Sequence, residues 1–383
     1  MPSPRQPRAI GEPSHILHVF YGFRVGGSET RTCQLINALG RDYRHTVVAL
    51  DGDFSARSLV ASEADVAYLH PKGFLRRSYL SNALSARRWL ATTRPDLMIA
   101  YSWGGFEWLV GNSFSKFCPD IFGIEGFDTD EAHGESPRRR FLRRLFSKRC
   151  TALHACSLNL RNLAVSSWKV PPEQVSYIPN GIDLARFTPR AAGTRPPRVV
   201  LGIVASLSPV KNHLLLLDAF RRLPPGAAEL QIVGDGPEQT RIAKYVEESG
   251  LGGDVRLLGH QADPSPILRG LDVFCLSSKS EQMPIAVLEA MGTALPVAGT
   301  DVGDVRQMVC EDNRRFIVPP DNPAALSAAL GTLIADAALR ARLGEQNRRR
   351  CEEEFDLSMM VQRHKALYDR CTDGRGPGRT AAG

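Results

Sequence analysis

No apolar run in this chain of 383 residues approaches the ~18–20 needed to cross a bilayer, and the start, Met-Pro-Ser-Pro-Arg-Gln-Pro-Arg, holds no apolar stretch of signal-peptide length. A cytoplasmic location is therefore expected. No Cys-x-x-Cys pair occurs. The eight cysteines (Cys33, Cys118, Cys150, Cys156, Cys275, Cys310, Cys351 and Cys371) lie far apart, so neither a zinc knuckle nor a disulfide framework is expected, only reduced packing residues. A Gly-Lys-Ser/Thr triplet is missing, which excludes a P-loop nucleotidase, and the Gly-x-Gly-x-x-Gly fingerprint of a nicotinamide-dependent dehydrogenase is missing too. There is no internal repeat of solenoid length.

What is present is ordinary for a globular enzyme: 43% hydrophobic and 23% charged residues, with 33 Gly and 26 Pro spread along the chain. At ~150 residues per domain the length suits two Rossmann-sized units with tails. A net charge of +7 and a pI near 9.1 favour anionic partners. Charge alone leaves nucleic acid, phosphorylated substrate and acidic membrane open.

Short apolar runs alternate with amphipathic stretches. The strand candidates are 16–20, 46–50, 66–69, 97–100 and 120–124, then 199–205, 229–233, 255–258, 273–276, 296–298 and 315–318. This alternation predicts an α/β fold of two doubly wound, Rossmann-like domains with parallel sheets, facing a cleft. Residues 14–188 form the first expected domain, the proline-rich stretch 189–198 a linker, and 199–357 the second. A terminal helix over 358–371 is expected to return to the first domain. Residues 1–13 and 372–383 are expected to be disordered.

Open α/β sheets place ligands at the carboxyl ends of their strands, so the loops there carry the chemistry. The first is Tyr21-Gly-Phe-Arg-Val-Gly26-Gly27-Ser28-Glu29, where two glycines let backbone approach an anion at a helix start and Ser28 is the expected N-cap. The second, Ala205 to Asn212, puts Lys211 at the entrance of a helix over 213–222. A cation there faces the unfavourable end of the helix dipole unless an anion shares the site. The third runs from Ser280 to Met291. Pro284 suits the first helical position, placing Glu281 before the helix and Glu289 inside it among apolar residues. A carboxylate so placed needs partners, and two vicinal ribose hydroxyls would supply them. The N–H groups at Met283, Ile285 and Ala286 can face a phosphate.

These residues resemble the retaining glycosyltransferases of the GT-B fold, glycosyltransferase family 4. Glu281 and Glu289 match the family's Glu-x7-Glu motif, Lys211 its Arg-Leu-x-x-x-Lys loop, and Gly26-Gly27-Ser28-Glu29 its glycine loop. Ile178-Pro179-Asn180-Gly181-Ile182-Asp183, Val233-Gly234-Asp235-Gly236-Pro237 and Leu258-Gly259-His260 follow in the expected order, so the likeness covers roughly residues 15–365. The resemblance implies that Glu289 holds the ribose of a nucleotide-sugar donor and Glu281 the donor sugar's hydroxyls. Lys211 would contact the diphosphate, with Gly26 and Gly27 closing over it from the opposite domain. His260 and Gln261 would border the base, and Ser206, Gly234, Met283, Pro284 and Ile285 would complete the donor site. The acceptor would bind the first domain. It is expected to be a saccharide, free or lipid-linked, and the transfer to retain configuration in cell-surface polysaccharide synthesis without metal or nucleic acid.

Three departures stand out. Ser206 replaces the arginine that partners the lysine. The histidine expected after the fifth strand is missing from Pro119-Asp-Ile-Phe-Gly-Ile-Glu-Gly126, the nearest being His133. Gln282-Met283 replaces Gly-Phe. Residues 101–108 and 126–131 look like an acceptor-side wall. The triplets Asp51-Gly-Asp53 and Asp128-Thr-Asp130 read as polar turns rather than metal sites. Arg138-Arg-Arg140, Arg143-Arg144 and Lys148-Arg149 make a cationic helix, either a solvated face or a peripheral dock on an anionic inner leaflet. The alternatives in view are a non-catalytic nucleotide-sugar binder of the same fold and, more remotely, an epimerase.

Overall fold

The computed structural model describes residues 12–71, 78–126, 135–191, 193 and 198–373. They divide into two units, one made of residues up to Ile178 together with those from Val361 onward, the other of Pro179–Met360.

The first unit begins with β1 (Ser14–Phe20), α1 (Gly27–Leu39), β2 (Tyr43–Ala49) and β3 (Val66–Leu69). Next come α2 (Tyr79–Thr93), β4 (Leu97–Tyr101), α3 (Phe106–Ser113) and β5 (Asp120–Ile124). The unit closes with α4 (Pro137–Phe146), β6 (Ala152–Ala155), α5 (Leu158–Ser166) and β7 (Val175–Tyr177). Among the described residues its seven strands pair in parallel in the order β3-β2-β1-β4-β5-β6-β7. Every residue of β4 and β5 is buried, as strands covered on both faces must be. Phe106, Phe122 and Trp168 fill the core beside them, each large side chain worth about 1.5–3 kcal/mol of burial.

The second unit contains β8 (Val199–Val204), α6 (His213–Arg221), β9 (Ala228–Val233), α7 (Gln239–Glu248) and β10 (Val255–Gly259). It continues through α8 (Ser265–Gly270), β11 (Val273–Leu276), α9 (Ile285–Gly292), β12 (Val297–Thr300), α10 (Val305–Met308) and β13 (Ile317–Val318). Then follow α11 (Pro323–Ala335), α12 (Ala337–Glu354) and α13 (Leu357–Thr372). The parallel order here is β10-β9-β8-β11-β12-β13. Each sheet thus reverses direction once, between β1 and β4 in the first and between β8 and β11 in the second.

Residues 179–188 pack with the second unit, not the first. Asn180 donates to Met283 O (2.9 Å), and Ile182 and residues 355–357 exchange backbone bonds. Residues 361–372 of α13 serve the first unit, where Tyr43 donates to Asp369 (2.8 Å) and the His364 ring lies 4.7 Å from that of His154. Thr372 is helical, not part of a tail. The expected linker is described only at 189–191, 193 and 198, and residues 1–11 and 374–383 of the expected tails lie outside the described residues.

Two local expectations are corrected. Helix α1 starts at Gly27 with Gly26 as its N-cap, so Ser28 sits inside the first turn, where its hydroxyl donates to Glu29 (2.8 Å) instead of capping. Pro284 is the N-cap of α9 rather than its first residue, its ψ of 121° being extended.

A chain of polar side chains crosses the first sheet: Tyr101 OH, His18 and His45 are linked by contacts of 3.0 Å, all buried. Burial lowers His45 to about 4, helped by His15, and holds His18 well below its ordinary value, helped by His45. An unfolded histidine titrates near 6.5, so the unfolded chain binds more protons between pH 6.5 and 4. The stability these neutral imidazoles contribute is complete above pH 6.5 and is lost as pH falls through that window. Stability should fall steadily from pH 7 to 4.5, by about 2–3 kcal/mol from His45, and less in His45→Asn. A profile identical in the variant refutes this.

Candidate functional site

The reversal of the second sheet brings together the loop after β8 and the loop after β11. Ala205-Ser206-Leu207-Ser208 leads into a short 3-10 turn, Pro209–Lys211, before α6. Lys211 Nζ reaches across to Glu281 Oε1 (2.5 Å), and Ser278 donates to the same oxygen (2.7 Å). Backbone ties hold the two loops in register, Lys279 N to Val210 O (2.8 Å) and Ser277 Oγ to Lys211 O (2.8 Å). The cation at the helix entrance therefore has a carboxylate partner, which spacing alone did not reveal because the two lie 70 residues apart.

The same loop is clamped from its other side. Thr300 donates to Ser278 O (2.7 Å), and Asp304 N to Gln282 O (2.8 Å). Gly303 passes so close that a Cβ would lie 2.4 Å from Glu281 O. Met283 is buried and accepts from Asn180 at both its carbonyl and its sulfur. As the first residues of α9, Ile285 and Ala286 bring N–H groups without an intrahelical acceptor.

Glu289 lies one turn into α9, half-buried between Leu288 and Ala290, which are fully buried. No hydrogen bond reaches its carboxylate from any described residue. Burial pushes it up to about 7, opposed by Arg186 and assisted by Asp263. Its carboxylate oxygens therefore keep their accepting capacity unspent among the described residues.

Ser206 is exposed and bonds only Ser208 (3.3 Å) among the described residues. Gly234, φ +139°, ends β9 in a conformation that favours glycine, and a Cβ there would stand 1.9 Å from Ala205 O. That close approach lets the loops after β8 and β9 lie side by side. His260 and Gln261 follow the edge strand β10, both exposed, with Gln261 donating to Leu258 O (2.9 Å). The structure keeps them two strands from Lys211 rather than in its cluster. His213, at the start of α6, is buried with neither ring nitrogen bonded among the described residues. Burial and Lys211 lower it to about 4.

The reversal of the first sheet carries its own pocket, about 690 Å³, at the carboxyl ends of β1, β4 and β5. Tyr21, Tyr101 and Trp103 form aromatic walls, and Glu29 and Glu125 supply carboxylates. Gly26 is extended, and a Cβ on it would stand 2.8 Å from Glu29 Oε2, so the glycine makes room for the acid that folds back over it. Burial raises Glu29 despite the Ser28 hydroxyl. Burial would raise Glu125 also, but Arg31 and His154 outweigh it and hold that carboxyl well below the usual range. Arg31, fully buried on α1, bonds Glu125, and His154 Nδ1 lies 3.6 Å away. Glu125 thus occupies the end of β5 where a histidine was looked for. His133 lies outside the described residues, as do Asp128 and Asp130. Asp51 and Asp53 are both engaged by Arg24. Among the described residues no group of His, Cys, Asp and Glu could hold a metal ion. The eight cysteines are free and buried.

Comparison with known proteins bears on the fold and the family. Residues 25–186 match the model of Glycosyltransferase Family 4, and residues 186–350 that of Glycosyl transferases group 1. The UDP-Gal:alpha-D-GlcNAc-diphosphoundecaprenol alpha-1,3-galactosyltransferase of Escherichia coli is 28% identical over 240 residues, 58% of this chain and 62% of the relative. Such matches span about half the length of the relatives, 44% and 51% in two others. Among solved structures, a glycosyltransferase from Rickettsia africae superposes with a TM-score of 0.77 at 14% identity, covering 94% of this chain and 98% of that one. Anabaena Alr3699/HepE, in complex with UDP and glucose, does so at 0.74 and 19%, covering 92% and 98%. The two doubly wound units are those of the GT-B fold.

Proposed function

We propose that this chain, a member of the group 1 glycosyl transferases, moves a sugar from a nucleotide-sugar donor to a saccharide acceptor in the synthesis of a polysaccharide or glycoconjugate. The observation that carries the reading is the set gathered where the second sheet reverses: Lys211 paired with Glu281, and Glu289 without donors on the helix that follows. The ribose hydroxyls donate to Glu289, and the donor sugar's hydroxyls to Glu281. Lys211 and the first amides of α9 stabilise the negative charge that grows on the diphosphate as the anomeric bond breaks. No metal takes part, and the anomeric configuration is retained. UDP is the favoured nucleotide, since UDP complexes and a UDP-galactose relative are similar to this chain. The aromatic and acidic pocket of the first unit suits a saccharide acceptor, free or lipid-linked.

The test is nucleoside diphosphate release from a panel of UDP-, GDP- and ADP-sugars, with and without saccharide acceptors, and NMR of the product's anomeric centre. Release that saturates with one donor is expected, with the anomer preserved. Saturable donor binding without release under any condition favours instead a non-catalytic nucleotide-sugar binder, the reading to which Ser206, lacking the second fixed charge, lends weight.

A further inference from the structure

Large apolar side chains left in water gather on one side of the first unit. Phe141 (65% exposed) and Leu145 (45%) stand one turn apart on the outer side of α4, whose inner side buries Arg143 and Phe146. Phe114 (68% exposed), at the end of α3, joins them: its ring lies 6.1 Å from Phe146 and beneath the Arg149 guanidinium, 5.5 Å away. Helix α2 adds the exposed Leu80 and Leu84, again one turn apart. Tyr79 stacks on Trp103 (6.0 Å) and Arg139 covers Trp103 (5.0 Å), tying the start of α2 to the start of α4. Right-handed crossovers place these helices on one face of the sheet.

The charge on this face is predominantly positive, with Glu107 of α3 a half-buried exception near Tyr79. Residues 135–149 hold seven basic side chains and a single acid, Glu135. That acid is turned inward, accepting from Arg143 (2.9 Å) and Trp168 Nε1 (2.6 Å). Arg138, Arg140, Arg144 and Lys148 are exposed around Phe141 and Leu145, and α2 carries no acid at all. The sequence left a solvated face and a docking face open for these arginines. Phenylalanine and leucine set among them favour docking, because water rewards the cations alone while a lipid interface takes both.

We propose that the outer face of α2 to α4 docks on an anionic phospholipid bilayer, with Phe114, Phe141 and Leu145 entering the headgroup boundary. The docking proposed is peripheral, and among the described residues no single helix is long and apolar enough to cross a membrane. Trp103 and Arg139 belong both to this face and to the pocket at the reversal of the first sheet. Where the proposed function holds, docking therefore sets that pocket beside the headgroups, which suits an acceptor anchored in lipid.

The experiment is co-sedimentation of the full chain with vesicles of phosphatidylcholine alone and of phosphatidylcholine with phosphatidylglycerol, at low and high salt. It needs neither donor nor acceptor, so it stands or fails apart from sugar transfer. Binding to the anionic vesicles and its loss at high salt are expected. The double variant Arg140→Glu/Arg144→Glu should bind more than ~100-fold more weakly, and Phe141→Ser/Leu145→Ser about tenfold or more. All four positions are exposed, and an unchanged thermal melt confirms that the variants fold. Wild-type protein left in the supernatant with both vesicles overturns the proposal. So do equal binding to both vesicles, unchanged binding by the charge-reversed variant, and tighter binding to duplex DNA than to the anionic vesicles.

Discussion

Lys211→Ala should lower sugar-transfer turnover about 10²–10³-fold, the loss seen when one preorganised donor is removed from a developing anion. Lys211 is held for that task by Ser277 on its carbonyl and by the Glu281 carboxylate on its ammonium. Without Arg at position 206 no second fixed cation stands on this loop to take over. Glu281 keeps its Ser278 bond in the variant, so the loop should survive and the melting temperature should change little. Lys211→Arg restores charge but not the compact geometry and should recover only part of the rate. Turnover of Lys211→Ala close to wild type, with the donor saturating normally, would remove the diphosphate role from this residue.

Glu289→Gln should make the protein more stable and less able to bind its donor. An ordinary glutamate titrates near 4.5 and Glu289 near 7, so between those values the folded chain holds the extra proton. Stability from this group is therefore greatest below the lower value and declines as pH rises through 7. Relieving a buried charge with the neutral amide should gain up to about 3 kcal/mol at pH 8 and almost nothing at pH 4. Donor binding runs the other way. Ribose hydroxyls donate best to the ionised carboxylate, so affinity should fall about tenfold per pH unit below 7. The amide variant should bind about 10–100-fold more weakly at pH 8 and lose that slope. Calorimetric titration with a UDP-sugar at pH 8, 7 and 6, alongside melts at the same pH values, measures both. A variant no more stable than wild type at pH 8 contradicts the buried-charge argument.

Most of the sheet architecture was legible because parallel strands covered on both faces are apolar runs. The fully buried Val273–Leu276 and Asp120–Ile124 lie where alternation put them, and so does the partly exposed edge strand Val66–Leu69. Strands β6 and β7 escaped notice. Ala-Leu-His-Ala is short and interrupted by a histidine whose polarity is met by Ile178 O, and Val175–Tyr177 is a three-residue edge strand. Of the site, the loops were readable and their cross-links were not. Glycines and a misplaced lysine mark a helix entrance locally, whereas the pairs Lys211 with Glu281 and Arg31 with Glu125 join residues 70 and 94 positions apart. Nothing in a local window encodes such partners. One signal was available for the second pair: Arg31 falls among the apolar positions Cys33, Leu35 and Ile36 of α1, and an arginine there asks for a buried acid.

The return of α13 to the first unit has a consequence for how the protein is made. Topologically the stretch from 179 to 360 is an insertion, so the unit started first at the ribosome is the last to be finished. Its segment from Val361 emerges after the whole second unit has been translated, a delay of roughly 10–40 s at common elongation rates. Until then His154 and Tyr43 lack His364, Lys365 and Asp369. The nascent chain should therefore fold from the middle outward, and a stop codon near 360 would leave the inserted unit whole and its host unsealed.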